Sequence, residues 1–107
     1  MVYPNQVYYC QMAIQSFSDK NTEEFFTTGY FQKGIGWANV NQITKRKLDM
    51  VHYAAQIDDL RAPPGNKLEA LKGDLKGFYS IRINDQWRVI FRWSESGPSD
   101  VRITDYH

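Results

Sequence analysis

The sequence predicts an α+β domain, a small antiparallel sheet with two N-terminal helices packed on one of its faces. Three observations carry this reading. Between Asn39 and Leu60 the apolar residues recur at helical spacing. From about residue 67 to residue 105, runs of alternating apolar and polar residues are separated by turn signals, as in strands with two unlike faces. The chain has 107 residues, 42% hydrophobic and 23% charged, which suits one small folded domain with a single core.

Residues 1–11 show no clear period, and Pro4 and Asn5 suggest a turn or an arm. A second methionine, Met12, precedes Ala13-Ile14-Gln15-Ser16-Phe17, which alternates as a half-buried strand does. Residues 1–11 are therefore expected to be an added arm or an upstream start of translation, with the domain proper at 12–107. Asn21 followed by Glu24 reads as a capping box, so a short helix begins there, buries Phe25 and Phe26 and stops at Gly29. Residues 30–38, with Gly34 and Gly36 near Trp37, read as a loop. A longer helix is expected from about Asn39 to Leu60, with Ile43, Met50, Ala54 and Ile57 on its apolar stripe and only the stem of Lys47 joining them. Pro63-Pro64-Gly65 ends it.

Four strands follow, at about 67–72, 78–83, 87–93 and 100–105. Tyr79, Ile81 and Ile83 face one way, with Ser80 and Arg82 opposite; Trp87, Val89, Phe91 and Trp93 face one way, with Arg88, Ile90 and Arg92 opposite. Asn84-Asp85-Gln86 supplies a tight turn, and Gly97-Pro98 breaks the chain before Val101 and Ile103 alternate with Arg102 and Thr104. The helices are expected to cover the aliphatic and aromatic face.

Bulk composition excludes several classes of function. Cys10 is the only cysteine, so an internal disulfide and a cysteine-based zinc site are ruled out, and two histidines make a poor metal centre. No run is apolar enough for a membrane span and no leader pattern is present, so the expectation is a soluble cytosolic protein. The net charge of +1 does not mark a nucleic-acid binder, although residues 1–60 hold five Lys/Arg against six Asp/Glu and residues 61–107 hold eight against six.

The strand alternation places Arg82, Arg88, Arg92 and Arg102 together on the face away from the helices. Such a cluster either binds phosphates bidentately or is the solvated outer face that antiparallel sheets often have. Asp105-Tyr106-His107 is either a frayed end or a source of proton-transfer groups. Lys72, before Gly73-Asp74, reads as a strand-end turn; His52, within the long helix, as structural; Trp87, Phe91 and Trp93 as core.

Three separated stretches resemble one known family. Pro63-Pro64-Gly65-Asn66-Lys67-Leu68-Glu69-Ala70-Leu71-Lys72-Gly73-Asp74, then Tyr79-Ser80-Ile81-Arg82-Ile83-Asn84-Asp85-Gln86-Trp87-Arg88, then Asp105-Tyr106-His107 resemble the HigB branch of the RelE/ParE toxin superfamily, the GraT-like members especially. Ile14-Gln15-Ser16-Phe17 is similar to their opening strand, so the resemblance covers about residues 12–107. It implies a RelE-like β-α-α-β-β-β-β order and a bacterial type II toxin that cleaves messenger RNA in the decoding site of the small ribosomal subunit. A HigA-like helix-turn-helix antitoxin would hold it inactive and would provide its link to operator DNA. No cofactor and no membrane are implied.

Carried over by position, the resemblance assigns catalysis to His107, Asp105, Tyr106, Lys72 and Arg88; beside these, Arg82, Arg92 and Arg102 of the arginine face, with Lys76, are the candidates for RNA-phosphate binding. Glu69 stands where some relatives have histidine, and Leu75 where many have arginine; the first removes a candidate proton carrier, the second a possible RNA contact. The chemistry implied needs no metal, since the RNA's own 2′-hydroxyl can attack the adjacent phosphate while positioned groups move protons and cations stabilise the phosphorane. Two rivals share the fold: a ParE-like inhibitor of DNA gyrase, and a decayed toxin that retains only antitoxin binding.

Overall fold

The structure is a computed structural model and describes residues 13–105. The arm expected at 1–11, Cys10, Tyr106 and His107 lie outside the described residues.

Asp19 opens the first helix, α1 (Lys20–Thr28), by accepting the Thr22 N–H on Oδ1 at 2.7 Å. The cap is thus Asp19 and not the Asn21–Glu24 box, because the Asp19 carboxylate already holds an orphan N–H of the first turn. Gly29 ends α1 with φ 84°, as expected. The loop that follows carries buried Trp37 into the core against Phe25, with ring centroids 4.7 Å apart. Gly36 is needed in this loop, since a Cβ there would lie 2.5 Å from Cζ2 of Trp87.

The second helix, α2 (Asn41–Tyr53), is shorter than its periodicity suggests. Asp59 Oδ2 accepts the N–H groups of Ala55 and Gln56 at 2.9 and 3.1 Å, so those donors leave the helical ladder and the chain restarts as a 3₁₀ turn at Ile57–Arg61. The apolar stripe survives the break because Leu60, in the new turn, is still buried.

Four strands follow: β1 (Glu69–Ala70), β2 (Phe78–Arg82), β3 (Trp87–Ser94) and β4 (Gly97–Asp105), antiparallel and adjacent in that order. β1 is shorter than the strand expected over 67–72, for Lys67 sits at φ 47° on one side and Gly73 at φ 63° turns the chain on the other. Gly97 and Pro98 pair with Ser94 and Trp93, so they belong to β4 and do not precede it; the turn is Glu95-Ser96. Residues 15–18 run parallel to β4 at its outer edge, with Gln15 N–H on the Pro98 carbonyl and Ser18 N–H on that of Val101. Beyond that edge the Ile103 N–H is taken by the buried hydroxyl of Thr22, which ties α1 to the sheet.

Ile81, Val89 and Ile103 are cross-strand partners and meet Leu48, Val51, Phe25 and Trp37 in the core. The helices therefore cover the face that the alternation assigned to them. The opposite face is also covered, in part, by the segment 66–77: Ser80 and Ile90 on that side are fully buried.

A buried polar knot fixes the start of that segment. Asn66 is 0% exposed; its side-chain N–H groups donate to the carbonyls of Leu60 and Ala62, and its Oδ1 accepts from the Lys47 ammonium. Lys47 thus buries its head as well as its stem. Desolvation lowers its pKa, helped by Arg46 and Arg82. Asn66→Leu removes the acceptor from a buried cation and is expected to cost about 3 kcal/mol, measured by urea unfolding, with Lys47→Met on top of it recovering part of the loss.

His52 fixes the N-terminal edge. Its Nδ1 accepts the Ile14 N–H at 3.3 Å, and its ring lies between those of Phe26 and Tyr53, at 5.0 and 4.7 Å. Burial, more than the nearby Lys45, pulls its pKa below 6.5, while Asp49 opposes. The native state then binds fewer protons than the unfolded chain just under pH 6.5, so stability is whole above that pH and declines as pH falls through the lowered native value. A His52→Gln variant followed by thermal melting should show a shallower loss over that window.

Candidate active site

On the sheet face away from the helices, the register sets three rows of side chains. Arg82, Arg88 and Thr104 are cross-strand neighbours, as are Glu69, Ser80, Ile90 and Arg102, and Phe78 lies beside Arg92. All four predicted arginines do share this face. Their surroundings differ from an open cationic sheet, because most of them already hold a carboxylate.

Arg82 pairs with Asp85 of its own turn. Arg92 lies over the Phe78 ring at 4.3 Å and reaches Asp100 at 3.3 Å. Asp100 in turn binds Ser16 and Ser18 through its backbone, so Arg92 belongs to the clasp of the N-terminal strand. Arg88 is only 5% exposed; its guanidinium donates to the Lys67 carbonyl at 2.8 Å and approaches Glu69 at 3.4 Å. It is a buried tie between β3 and the covering segment. By contrast, Lys72, Lys76 and Arg102 have no ion-pair partner among the described residues. Nε of Arg102 is buried and unbonded among them as well.

The covering segment and the sheet enclose a cleft of about 450 Å³. Glu69, Ala70, Leu71, Lys72 and Leu75 line one side; Ile90, Thr104 and Asp105 line the other. Gly73 turns the chain back, and the single 3₁₀ turn Gly73–Leu75 returns Leu75 to the cleft. Asp105 ends β4 at this cleft, its Oδ2 accepting from the Gln86 side chain at 3.0 Å. Of the predicted site residues, the fold thus gathers Lys72, Glu69 and Asp105 at one opening, with Arg88 beneath and Arg102 one row along the sheet. Tyr106 and His107 lie outside the described residues. Leu71, Ile90, Thr104 and Gln86 were missed. Alternation marks the faces of Ile90 and Thr104, but nothing local marks a cleft made by a segment folding back.

The four-stranded antiparallel sheet with helices on one face is a fold shared with a YoeB/ParE toxin. The structure resembles the YoeB/ParE toxin from Agrobacterium tumefaciens with a TM-score of 0.51, at 21% identity over 90% of this chain and 100% of that one. Residues 15–107 match the family described as RelE-like toxin of type II toxin-antitoxin system HigB. The chain belongs to this HigB-like toxin family, and membership implies an antitoxin partner. It is 42% identical to Toxin HigB-1 of Vibrio cholerae serotype O1 over 77% of this chain and 84% of that protein. It is 31% identical to Endoribonuclease HigB of Proteus vulgaris over 88% and 99%. No helix among the described residues is long and apolar enough to cross a membrane.

The difference between a buried tie and an exposed cation can be measured. Arg88→Ala should lower unfolding stability by about 2–3 kcal/mol, since it strips a buried charged donor from a backbone carbonyl. Lys72→Ala should change it by less than about 0.5 kcal/mol. Equal small effects in denaturant titrations would return Arg88 to the substrate surface.

Proposed function

We propose that the protein is the toxin of a type II pair and cuts messenger RNA held in the decoding site of the small ribosomal subunit. The cleft carries this reading: an exposed ammonium without a carboxylate partner among the described residues, Lys72, opens onto the same space as Glu69 and Asp105. The likeness to a protein named Endoribonuclease HigB supports the same chemistry.

In the proposed step the RNA 2′-hydroxyl oxygen bonds to the adjacent phosphorus and loses its proton to a base. The bond from phosphorus to the 5′-oxygen breaks, and an acid protonates that oxygen. The products are a 2′,3′-cyclic phosphate and a free 5′-hydroxyl, with no oxidant, cofactor or metal in the balance. Lys72 stabilises charge on the phosphorane. His107, whose ordinary pKa of about 6.5 suits proton exchange near neutrality, is the proposed proton carrier. Asp105, steadied by Gln86, orients it, and Tyr106 positions a base or the backbone. Glu69 is the second proton carrier to test. Arg102 and Lys76 are the better candidates for flanking phosphates, while Arg82 and Arg92 contribute less because each holds a carboxylate. Arg88 acts through the segment it ties down.

A HigA-like helix-turn-helix antitoxin is the proposed partner, blocking entry to the ribosome and carrying any contact with operator DNA. The proposed compartment is the bacterial cytoplasm, and residues 1–11 are proposed to be dispensable for cleavage. The test is 5′-end mapping of messenger RNA in a purified translation reaction, with and without the protein. Lys72→Ala should slow single-turnover cleavage of ribosome-bound RNA by about 10²-fold or more. A folded wild-type protein that leaves no new 5′ ends but inhibits DNA gyrase would replace this reading with the ParE-like one.

A further inference from the structure

The N-terminal strand is held on the edge of β4 at two points of different chemistry. Asp100 clasps residues 16 and 18. Its N–H donates to the Ser16 hydroxyl at 2.9 Å, its carboxylate accepts from that hydroxyl, and its carbonyl accepts from the Ser18 hydroxyl at 2.8 Å. Arg92 braces the same carboxylate from the sheet. The second hold is at Ile14, whose N–H donates to Nδ1 of His52. Between the two, the Gln15 N–H reaches the Pro98 carbonyl.

An imidazole nitrogen accepts only while it carries no proton, so the Ile14 bond requires neutral His52 with its proton on Nε2. A second proton would put an N–H on Nδ1, and two donors would then face each other. The rings of Phe26 and Tyr53, at 5.0 and 4.7 Å, hold the imidazole in place, so the strand end is what yields. The charges that bear on His52 stand on its own helix. Asp49 favours the extra proton; Lys45, which pairs with Asp49 and lies over the Phe26 ring, opposes it. From α1 the imidazole meets the uncharged Phe26 ring, and residues 13–18 bring no ionisable side chain.

We propose that His52 is an acid-released latch for the start of the N-terminal strand: neutral, it holds Ile14; protonated, it lets residues 13–15 leave the edge of β4, while the Asp100 clasp keeps residues 16–18 in place. Burial keeps the second proton off the closed form and pulls the pKa of His52 below 6.5. The released form takes that proton more readily, so the latch is shut at neutral pH and opens as pH falls through the lowered value. This is more than a general loss of stability in acid, because one strand end is released while the sheet stays folded. It stands independently of the cleft and of the nuclease reading.

The test is amide hydrogen exchange of the full chain, followed by NMR from neutral pH to about pH 5, with each rate divided by that of a free peptide at the same pH. Ile14 and Gln15 should lose protection by about fivefold or more, the worth of one hydrogen bond. The loss should share its midpoint with the titration of the His52 imidazole. Dilute urea should not speed exchange at Ile14 and Gln15, since their release uncovers little surface, whereas it should at Val89 in the core. His52→Asn places an acceptor that does not titrate near the position of Nδ1, and protection at Ile14 should then be the same at both ends of the range. His52→Phe keeps a ring between Phe26 and Tyr53 without an acceptor, and Ile14 should be poorly protected throughout. Protection at Ile14 that does not change with pH in the full chain would overturn the latch. So would an acid loss that grows with urea as steeply as at Val89, an acid loss that persists in His52→Asn, or full protection in His52→Phe.

Discussion

The side-chain amide of Asn66 holds the functional half of this domain in place. It sits in the core with its donors on two backbone carbonyls and its oxygen on the Lys47 ammonium, so three separate stretches meet at one planar group. From there the chain climbs over the sheet, where Arg88 takes the Lys67 carbonyl and approaches Glu69 from below. One grip is from the helix side and one from the sheet side. Between and just beyond them lie β1, Lys72 and the turn that delivers Leu75. The cleft exists because this segment is held down twice; otherwise Ile90 and Ser80 would face water.

That arrangement also decides which cations remain for a substrate. A count of arginines on the outer sheet face suggests a strong phosphate field. The geometry spends most of them on structure: Arg82 on its turn, Arg88 on the covering segment, Arg92 on the N-terminal strand through Asp100. A paired guanidinium attracts a phosphate less than a bare one, because the local field is already partly neutralised. Lys72 is left at the cleft opening with no carboxylate partner among the described residues, and Arg102 stands in the row of Glu69 and Ile90. With a net charge of only +1, the electrostatics of this cleft are set by where a few charges stand, not by their total.

Much of this fold was legible in the sequence because strands repeat every two residues. Val89 and Ile103 declare one face and Arg88 and Thr104 the other, and the register agrees. Helix existence was equally legible, but helix ends were not. Asp19 and Asn21 are both good caps, and only the geometry of the first turn chooses between them. The break at Ala54 is invisible to periodicity, since the stripe continues through Leu60; it comes from Asp59 capturing two N–H groups. Long-range partners were the hardest to read. Nothing near Lys47 in sequence shows that Asn66 will receive its ammonium, and nothing near Arg88 shows that a backbone carbonyl 21 residues away will bury it. The motif around Lys72 was visible as a pattern, but its position over Ile90 depends on both of those contacts.

A consequence follows for how substitutions in such a small domain should be read. With one core shared by everything, the segment that forms the cleft has no independent scaffold. Neither Lys47 nor Asn66 lines the cleft, yet loosening either releases the same strand-to-turn stretch that carries Glu69, Lys72 and Leu75. Loss of activity in a variant of Arg88, Asn66 or Lys47 therefore does not place that residue at the substrate. The discriminating property is how a loss is distributed. Failure of the hold lowers the fraction of molecules with a formed cleft and scales all cuts alike, whereas a residue touching one nucleotide changes some cuts more than others. Lys72 lies at the opening of the cleft, and Arg88 and Asn66 lie in the hold, so the fold itself separates the two kinds of effect.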